Sequence, residues 1–242
     1  MANSKLTIYA GCFAGHLLKY QSQYKTIPVF CGTRQWRATR KQLVGIYDPN
    51  DYIFDDGFVS FNNNCWADLS CINTILEQDI ADDALIGNAQ YRRSWDEEAV
   101  AKSNNTTLYV PEPAIFSCSL KEQFKGGHGD FAGYELSIEA AKSGLLPLSV
   151  DELDSVWQQN QFHGCLMARG PKSLYFPFMD MLLNQFCWSI WNIDPDYFLG
   201  QSGYNQRGIA FIAERMFTAM VMYRGKLNLG AIQTAPIVFH GP

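Results

Sequence analysis

The sequence has few charges and no long apolar run. Charged residues make up 18 % of the 242 residues, against roughly 25 % in ordinary soluble domains. No stretch approaches the roughly 18 apolar residues that a membrane-spanning helix needs. The net charge is −5 without a block of Lys and Arg, which disfavours general nucleic-acid binding. Because the first residues lack a secretory signal, we expect a cytoplasmic protein and leave attachment at the inner face of the membrane open.

Several binding and catalytic motifs are also missing. The chain has no G-x-x-x-x-G-K-[ST] phosphate loop, no G-x-G-x-x-G turn and no G-x-S-x-G nucleophile motif. P-loop enzymes, dinucleotide-dependent dehydrogenases and serine hydrolases therefore lack their signatures here. The seven cysteines are odd in number and contain no C-x-x-C pair, as expected for reduced, mostly buried thiols. We expect no cofactor and no zinc site.

Aromatic residues, in contrast, are plentiful at 14 % of the chain. Carbohydrate sites favour aromatic faces because the C–H surfaces of sugars stack on them. A Phe-rich core with contacts to a partner or a membrane surface explains the same number equally well.

The hydrophobic pattern predicts strands mostly in the first half and helices between and after them. Strand patterns, including one broken by prolines, cover residues 5–13, 26–31, 42–47, 83–90, 107–117 and 164–168. Helical spacing covers residues 68–77, 149–161, 178–190 and 209–220, and Ser149 with Glu152 forms a capping-box pattern. This order favours one α/β domain over residues 1–242, with a mixed central sheet and helices on both faces.

Ligands of such sheets bind at the carboxyl ends of strands. Residues 10–13, 31–34 and 89–93 are therefore candidate site segments. The last segment ends in Arg92 and Arg93, and guanidinium groups donate paired hydrogen bonds to phosphate oxygens. The pair suits a diphosphate, with a surface pair matched to the acidic residues at 96–98 as the alternative.

Carboxylates later in the chain suggest two further sites. Arg207 and Glu214 lie seven residues apart on one face of the last predicted helix, where a carboxylate beside a cation can act as a general base. A solvated helix face with ordinary ion pairs is the alternative. Asp194-Pro195-Asp196 is the only Asp-x-Asp sequence, a pattern that holds a divalent cation in many sugar-nucleotide transferases. Its place after a helix favours a turn.

Together these segments resemble a domain family of capsular and exopolysaccharide biosynthesis proteins, which are treated as glycosyltransferases. Tyr91-Arg92-Arg93 resembles the family's H-Y-R-R signature, and Ala213-Glu214-Arg215 resembles its L-A-E-R signature. Weaker matches occur in the family's order at residues 6–9, 66–70, 123–128 and 163–167. The chain departs from the family at residues 10–12, where Ala-Gly-Cys replaces Thr-His-Lys, and at Gln90, where His is common.

The resemblance implies a GT-A-like single-domain sandwich, with a nucleotide-binding half at about residues 1–120 and an acceptor-binding half at about 121–242. It implies transfer of a hexose from a nucleotide-diphosphate donor, expected to be a UDP-sugar, to a glycan or lipid-linked glycan in bacterial surface polysaccharide synthesis. The expected donor residues are Tyr9, Ala10, Gly11, Gln90, Tyr91, Arg92 and Arg93. The expected acceptor residues are His128, Asp130, His163 and Arg207.

This interpretation needs no metal. Arg92 and Arg93 would neutralise the diphosphate leaving group electrostatically, and Glu214, or else Asp68, would deprotonate the acceptor hydroxyl. Two alternatives remain open. One is a non-catalytic relative that binds a nucleotide or glycan, and the other is a metal-dependent transferase or hydrolase that uses Asp194 and Asp196.

Overall fold

The computed structural model describes residues 6–13, 16–31, 51–54, 63–130 and 132–241. The strands are β1 (Leu6–Cys12), β2 (Lys25–Phe30), β3 (Ile53–Phe54), β4 (Leu85–Gln90), β5 (Arg93–Trp95), β6 (Thr107–Pro111), β7 (Ala114–Ile115), β8 (Gln161–Phe162), β9 (Arg169–Pro171), β10 (Ala231–Ala235) and β11 (Ile237–Phe239). The α-helices are α1 (Asn63–Trp66), α2 (Asp68–Leu76), α3 (Glu97–Ala101), α4 (Leu120–His128), α5 (Ala132–Lys142), α6 (Val150–Gln158), α7 (Lys172–Asp180), α8 (Trp188–Trp191), α9 (Pro195–Gly200) and α10 (Gly208–Met222). A π-helical segment, Met181–Cys187, joins α7 to α8, and a 3-10 helix, Gly203–Arg207, precedes α10.

Nine of the described strands form one mixed sheet. Its order is β10-β6-β9-β4-β1-β2-β3, and β5 and β11 attach beside β4. β1 pairs in parallel with β2 and β4, whereas β9 runs antiparallel to β4 and β6. β7 and β8 form a separate pair. A mixed sheet flanked by helices in one α/β domain is the fold class that the sequence predicts.

The side chains of β1 alternate between two hydrophobic cores, as the two-residue period of a strand requires. Tyr9 belongs to the larger core, which takes residues from α2 and from every helix between α4 and α10. Ile8 and Ala10 belong to a smaller core, covered by α3 and by Leu18 and Tyr24. Most helices therefore pack on one face of the sheet, and one short helix with the chain segment before β2 covers the other.

Most predicted elements have counterparts in the structure. The helices predicted at residues 68–77, 149–161 and 209–220 correspond to α2, α6 and α10, and both hydrogen bonds of the capping box before α6 are formed. The apolar stripe from residue 178 continues through the π-helical segment into α8. The strand predicted at residues 42–47 lies outside the described residues. In the part of the chain that the structure describes, no helix has the length and apolar character needed to cross a membrane.

The predicted strand at residues 164–168 is wrong. Cys165 and Leu166 have φ values of 72° and 48°, and these left-handed conformations are incompatible with an extended strand. The side chain of Asn88 on β4 holds this turn instead. Its Nδ2 donates to the Leu166 carbonyl at 2.7 Å, and its Oδ1 accepts from the Ala168 amide at 2.9 Å. The strand β9 begins only at Arg169.

Candidate active site

A small polar cavity of about 90 Å³ opens at the carboxyl ends of β1 and β4. Ligands in open α/β sheets bind at this edge. The residues that line the cavity are Phe13, His16, Ala67, Asp68, Gln90, Tyr91, Arg92, Arg93 and Arg207. The cavity therefore brings together Arg92 and Arg93 of the expected donor site, Arg207 of the expected acceptor site and one of the two candidate bases, Asp68.

Asp68 reaches the cavity through an unusual turn in the chain. Ala67, between α1 and α2, has φ 43° and ψ −119°, a conformation that strains any residue other than glycine. The turn places the Asp68 carboxylate beside Gln90, whose Nε2 donates to Asp68 Oδ2 at 2.8 Å and to the Cys165 carbonyl at 3.1 Å.

The environment of Asp68 favours its protonated form more than water does. Burial raises the pKa of the Asp68 carboxyl to about 7, although the nearby Arg93 guanidinium favours ionisation and lowers it. The negative charge of Glu214 raises this pKa further, while Arg207 and Arg92 lower it. A carboxyl whose pKa lies near neutral pH can exchange a proton under working conditions, which is the property required of a general base.

Three arginines give the cavity its positive charge. The Nη1 of Arg93 donates to Gln90 Oε1, and its guanidinium lies over the Phe239 ring at 5.0 Å. Arg92 lies over Tyr91 at 5.8 Å, and Arg207 ends the 3-10 helix before α10. None of the ion pairs found among the described residues uses these three side chains. The cavity can therefore supply hydrogen bonds and charge to an anion.

A stacked pair of rings forms another part of the cavity wall. The rings of His16 and Tyr91 lie 4.6 Å apart and are inclined by 5°. The backbone fixes this pair, because the Tyr91 amide donates to the Gly11 carbonyl at 2.9 Å and the Tyr91 carbonyl accepts from the Lys19 amide at 2.8 Å. The pair presents an aromatic surface next to the arginines.

Glu214 lies near the cavity but does not line it. Its Oε1 accepts a hydrogen bond from the Cys165 amide at 2.9 Å, and its Oε2 lies 3.5 Å from Nη1 of Arg215. The Arg215 guanidinium is buried and lies over the rings of Phe124 and Phe162. Glu214 therefore contacts the cavity through Cys165, whose carbonyl accepts from Gln90.

The three residues predicted on β1 lie behind the cavity. Tyr9 and Ala10 are buried in the two cores. Gly11 contributes its carbonyl to Tyr91, and a Cβ atom at this position would lie 2.8 Å from the Phe13 ring. The side chains at this end of β1 that reach the cavity belong to Phe13 and His16.

The remaining predicted acceptor residues lie outside the cavity. His163 is buried, and its Nδ1 is 2.9 Å from the Pro111 carbonyl. His128 packs against the rings of Phe124 and Phe211, and burial lowers its pKa to about 4. Asp130 accepts a weak hydrogen bond from the Tyr197 hydroxyl at 3.3 Å.

The Asp-x-Asp sequence forms the start of a helix. Asp194 is the N-cap residue of α9 and its Oδ1 accepts from the Tyr197 amide at 2.9 Å, while Asp196 lies in the first turn of that helix. Within the described ranges, no group of three His, Cys, Asp or Glu side chains has the arrangement of a metal site. A metal ion held by Asp194 and Asp196 would have to compete with the Tyr197 amide for the Asp194 carboxylate.

Several residues of the site carry no clear signal in the sequence. His16 follows the first predicted strand closely, so its place at the end of a strand was the only available clue. Phe239 reaches Arg93 because β11 pairs with β5, and this pairing of distant segments has no local pattern. Asn88 follows the apolar start of β4 and lies in a fully buried strand, where a buried amide indicates a specific hydrogen-bonding role.

Comparison with known proteins supports the fold. No model of a known protein family matches the chain, and no curated protein sequence does. Among solved structures, the chain is similar to the apo structure of WbbM, a bifunctional glycosyltransferase, with a TM-score of 0.70 and 15 % sequence identity. The match covers 97 % of this chain and 45 % of the WbbM chain, so this protein spans less than half of that chain's length. The shared architecture is consistent with the GT-A-like sandwich that the family resemblance implies.

Proposed function

We propose that this protein is a glycosyltransferase that transfers a sugar from a UDP-linked donor to a glycan or lipid-linked glycan of bacterial surface polysaccharide. One observation carries the proposal. Arg92, Arg93 and Arg207 converge with Asp68 in one cavity at the carboxyl ends of β1 and β4. Three cations beside a carboxyl of raised pKa suit a reaction in which a diphosphate leaves while a hydroxyl loses its proton. The fold shared with WbbM, a glycosyltransferase, supports the same class of activity.

In this proposal the donor binds across the arginines and the stacked rings. The diphosphate accepts hydrogen bonds from Arg92, Arg93 and Arg207, whose guanidinium groups remain charged at neutral pH. The nucleobase lies against the aromatic surface of Tyr91 and His16, which stack 4.6 Å apart. The arginines supply the charge that a divalent cation supplies in other transferases, so transfer proceeds without a metal.

The chemical step needs one base and one stabilised leaving group. Asp68 takes the proton of the acceptor hydroxyl, whose oxygen forms a bond to the anomeric carbon of the donor sugar. The bond between that carbon and the diphosphate oxygen breaks, and UDP leaves with its negative charge neutralised by the arginines. A single base acting in one displacement corresponds to inversion at the anomeric carbon.

Asp68 is a better candidate for this base than Glu214. Asp68 lines the cavity, whereas the Glu214 carboxylate accepts a hydrogen bond from the Cys165 amide at 2.9 Å. Glu214 is then a positioning residue. The carbonyl of Cys165 accepts a hydrogen bond from Gln90, and Gln90 in turn donates to Asp68. Replacing Asp68 with Asn should abolish transfer with little change in UDP affinity. Replacing Glu214 with Gln should reduce transfer less, because an amide oxygen can still accept from Cys165.

Calorimetric titration with UDP in the presence of a chelator tests the proposal. We expect the wild-type protein to bind UDP under these conditions and each of Arg92→Ala, Arg93→Ala and Arg207→Ala to weaken binding by about 10-fold or more, since a hydrogen bond to a charged group contributes roughly 1.5–3 kcal/mol. Arg224→Ala removes an exposed arginine outside the cavity and is the matched control.

Three results would contradict the proposal. Unchanged UDP affinity in all three cavity variants would show that the arginines do not bind the donor. Binding that requires added manganese or magnesium would show that a metal holds the diphosphate and would return attention to Asp194 and Asp196. Tight UDP binding with no sugar transfer to any glycan acceptor would favour a nucleotide-binding relative without catalysis.

A further inference from the structure

A second, apolar groove lies next to the arginine cavity. Its volume is about 440 Å³, within the range of small-molecule sites. The residues that line it are Pro111, Glu112, Pro113, Ala114, Phe116, Phe162, Gly164, Cys165, Pro236, Ile237 and Phe239. None of the expected donor or acceptor residues is in this set.

Two contacts connect residues that line the groove with residues that line the arginine cavity. The Phe239 ring, which is 61 % exposed and lines the groove, lies 5.0 Å from the Arg93 guanidinium, which lines the cavity. Cys165 lines the groove, and its carbonyl accepts from the same Gln90 nitrogen that donates to Asp68. Cys165 and the side chain of Gln90 therefore connect the groove to the proposed base.

The shape of the groove is built from rigid parts. The rings of Phe116 and Phe162 lie 5.5 Å apart, and three prolines form the other walls. Gly164 is required beside them, because a Cβ at this position would lie 2.7 Å from the Phe162 ring. The groove therefore presents flat aromatic and pyrrolidine faces without rearrangement.

We propose that this groove binds the acceptor sugar, a pyranose whose C–H face stacks on Phe116 and Phe239 and whose hydroxyls are offered to Glu112 and to the cavity. The inference rests on the proposed function, because it assigns the acceptor of the same reaction. A pyranose fits better than an acyl chain for two reasons. The exposed Glu112 carboxylate at the groove accepts hydrogen bonds from hydroxyls, and Phe239 in the groove lies against the Arg93 guanidinium of the charged cavity.

Saturation-transfer NMR with simple sugars tests this assignment. The probes are the methyl α- and β-pyranosides of glucose, galactose and mannose, with 1-octanol as the alkyl probe. We expect at least one pyranoside to receive saturation from the wild-type protein. Phe116→Ala and Phe239→Ala should each lower the affinity for that sugar by about tenfold, in line with the loss of one stacked ring. Phe239→Tyr should restore binding. Val238→Ala, on the same strand but outside the groove lining, is the matched control.

A parallel UDP titration separates this inference from the proposed function. Phe116→Ala should keep wild-type UDP affinity, because Phe116 does not line the arginine cavity. Sugar binding that is lost in both variants supports the groove even if the wild-type protein fails to bind UDP. Three results would overturn it: no saturation of any pyranoside, sugar binding unchanged in both variants, or saturation of octanol alone.

Discussion

Gln90 and Asp68 are joined by a hydrogen bond of 2.8 Å in which the amide nitrogen donates to the carboxylate. The other end of the same amide accepts from Arg93. Because a cation lies on one side and a carboxylate on the other, only one orientation of the Gln90 amide satisfies both. Gln90 therefore holds the proposed base and one proposed phosphate ligand in a fixed relationship.

Gln90→Glu should raise the pKa of Asp68 further. The substitution places a second carboxylate oxygen at hydrogen-bonding distance from Asp68, and two such groups cannot both ionise readily. We expect the midpoint of the pH–activity profile to move upwards and stability at pH 8 to fall by on the order of 2 kcal/mol. Urea unfolding and rate measurements across pH 5–9 provide the test. Gln161→Glu adds the same charge at an exposed position. If both variants behaved alike, Gln90 would have no special coupling to Asp68.

Asp68→Asn should stabilise the protein at high pH. The pKa of Asp68 rises from 3.8 to about 7 on folding, so the folded state binds an extra proton between these pH values. The contribution of Asp68 to the unfolding free energy of the wild-type protein therefore falls as pH rises through this window and becomes constant above it. Asparagine carries no charge but still accepts from Gln90. At about 1.4 kcal/mol for each pKa unit, the rise from 3.8 to about 7 corresponds to on the order of 4 kcal/mol, and we expect the unfolding free energy of the variant to exceed that of wild type by up to this amount at pH 8.

The comparison at low pH completes this test. At pH 4 the wild-type carboxyl is protonated in the folded state, and the advantage of Asp68→Asn should largely disappear. Asp79→Asn removes an exposed carboxylate shortly after α2 and controls for the loss of one negative charge. A constant difference between Asp68→Asn and wild type from pH 4 to pH 8 would mean that Asp68 does not titrate in this range.

The sequence predicted elements whose signal is local. Strand β1 is mostly apolar and β4 begins with an apolar run, helices α2 and α10 have a clear helical period, and α6 has a capping box. Helices α4 and α5 were missed even though Ser119 and Glu122 form a second capping box. The apolar residues of α4 are few, so periodicity gives little indication there.

The position of the site in the fold was predictable from local pattern only where functional side chains follow a strand directly, although Arg207 and Asp68 were also among the expected site residues. Arg92 and Arg93 follow β4 directly, and the rule for open sheets places them at the ligand edge. Arg207 and Asp68 join them through tertiary packing, which the local pattern of the sequence does not reveal. The apolar residues at 164–168 predict a strand, but a side chain from β4 holds the backbone of this segment in a turn.

Ala67→Gly should be tolerated, although glycine usually weakens a protein. The strain of the backbone at φ 43° is relieved by glycine, and roughly 1–3 kcal/mol is recovered at such positions. This gain offsets the loss of a buried methyl group and the higher entropy of the unfolded chain. We expect a change in unfolding free energy below about 1 kcal/mol in either direction.

The matched variants of this test are Ala141→Gly and Ala67→Val. Ala141 lies in the last turn of α5, where glycine should cost roughly 0.5–1 kcal/mol. Ala67→Val should cost more than about 2 kcal/mol, because a β-branched residue is strongly disfavoured at positive φ. Equal losses for Ala67→Gly and Ala141→Gly would indicate that the turn before Asp68 is not strained.

Asn88→Ala should both destabilise the protein and impair transfer. The Asn88 side chain is 2 % exposed and satisfies the Leu166 carbonyl and the Ala168 amide. Its removal leaves two buried backbone groups without partners, at about 1–3 kcal/mol each. The turn that carries Cys165 loosens, so Gln90 and Glu214 lose their common contact.

Two controls show whether this effect arises from the turn. Asn184→Ala breaks an exposed hydrogen bond to Asp180 and should change stability by less than about 0.5 kcal/mol. Asn88→Asp keeps an acceptor for the Ala168 amide but sets a carboxylate oxygen against the Leu166 carbonyl, so it should be at least as unstable as Asn88→Ala. Urea unfolding gives the stability, and UDP titration shows whether the arginine cavity survives. Near-normal stability of Asn88→Asp would mean that the donor to Leu166 is dispensable and that the left-handed turn is held by its own sequence.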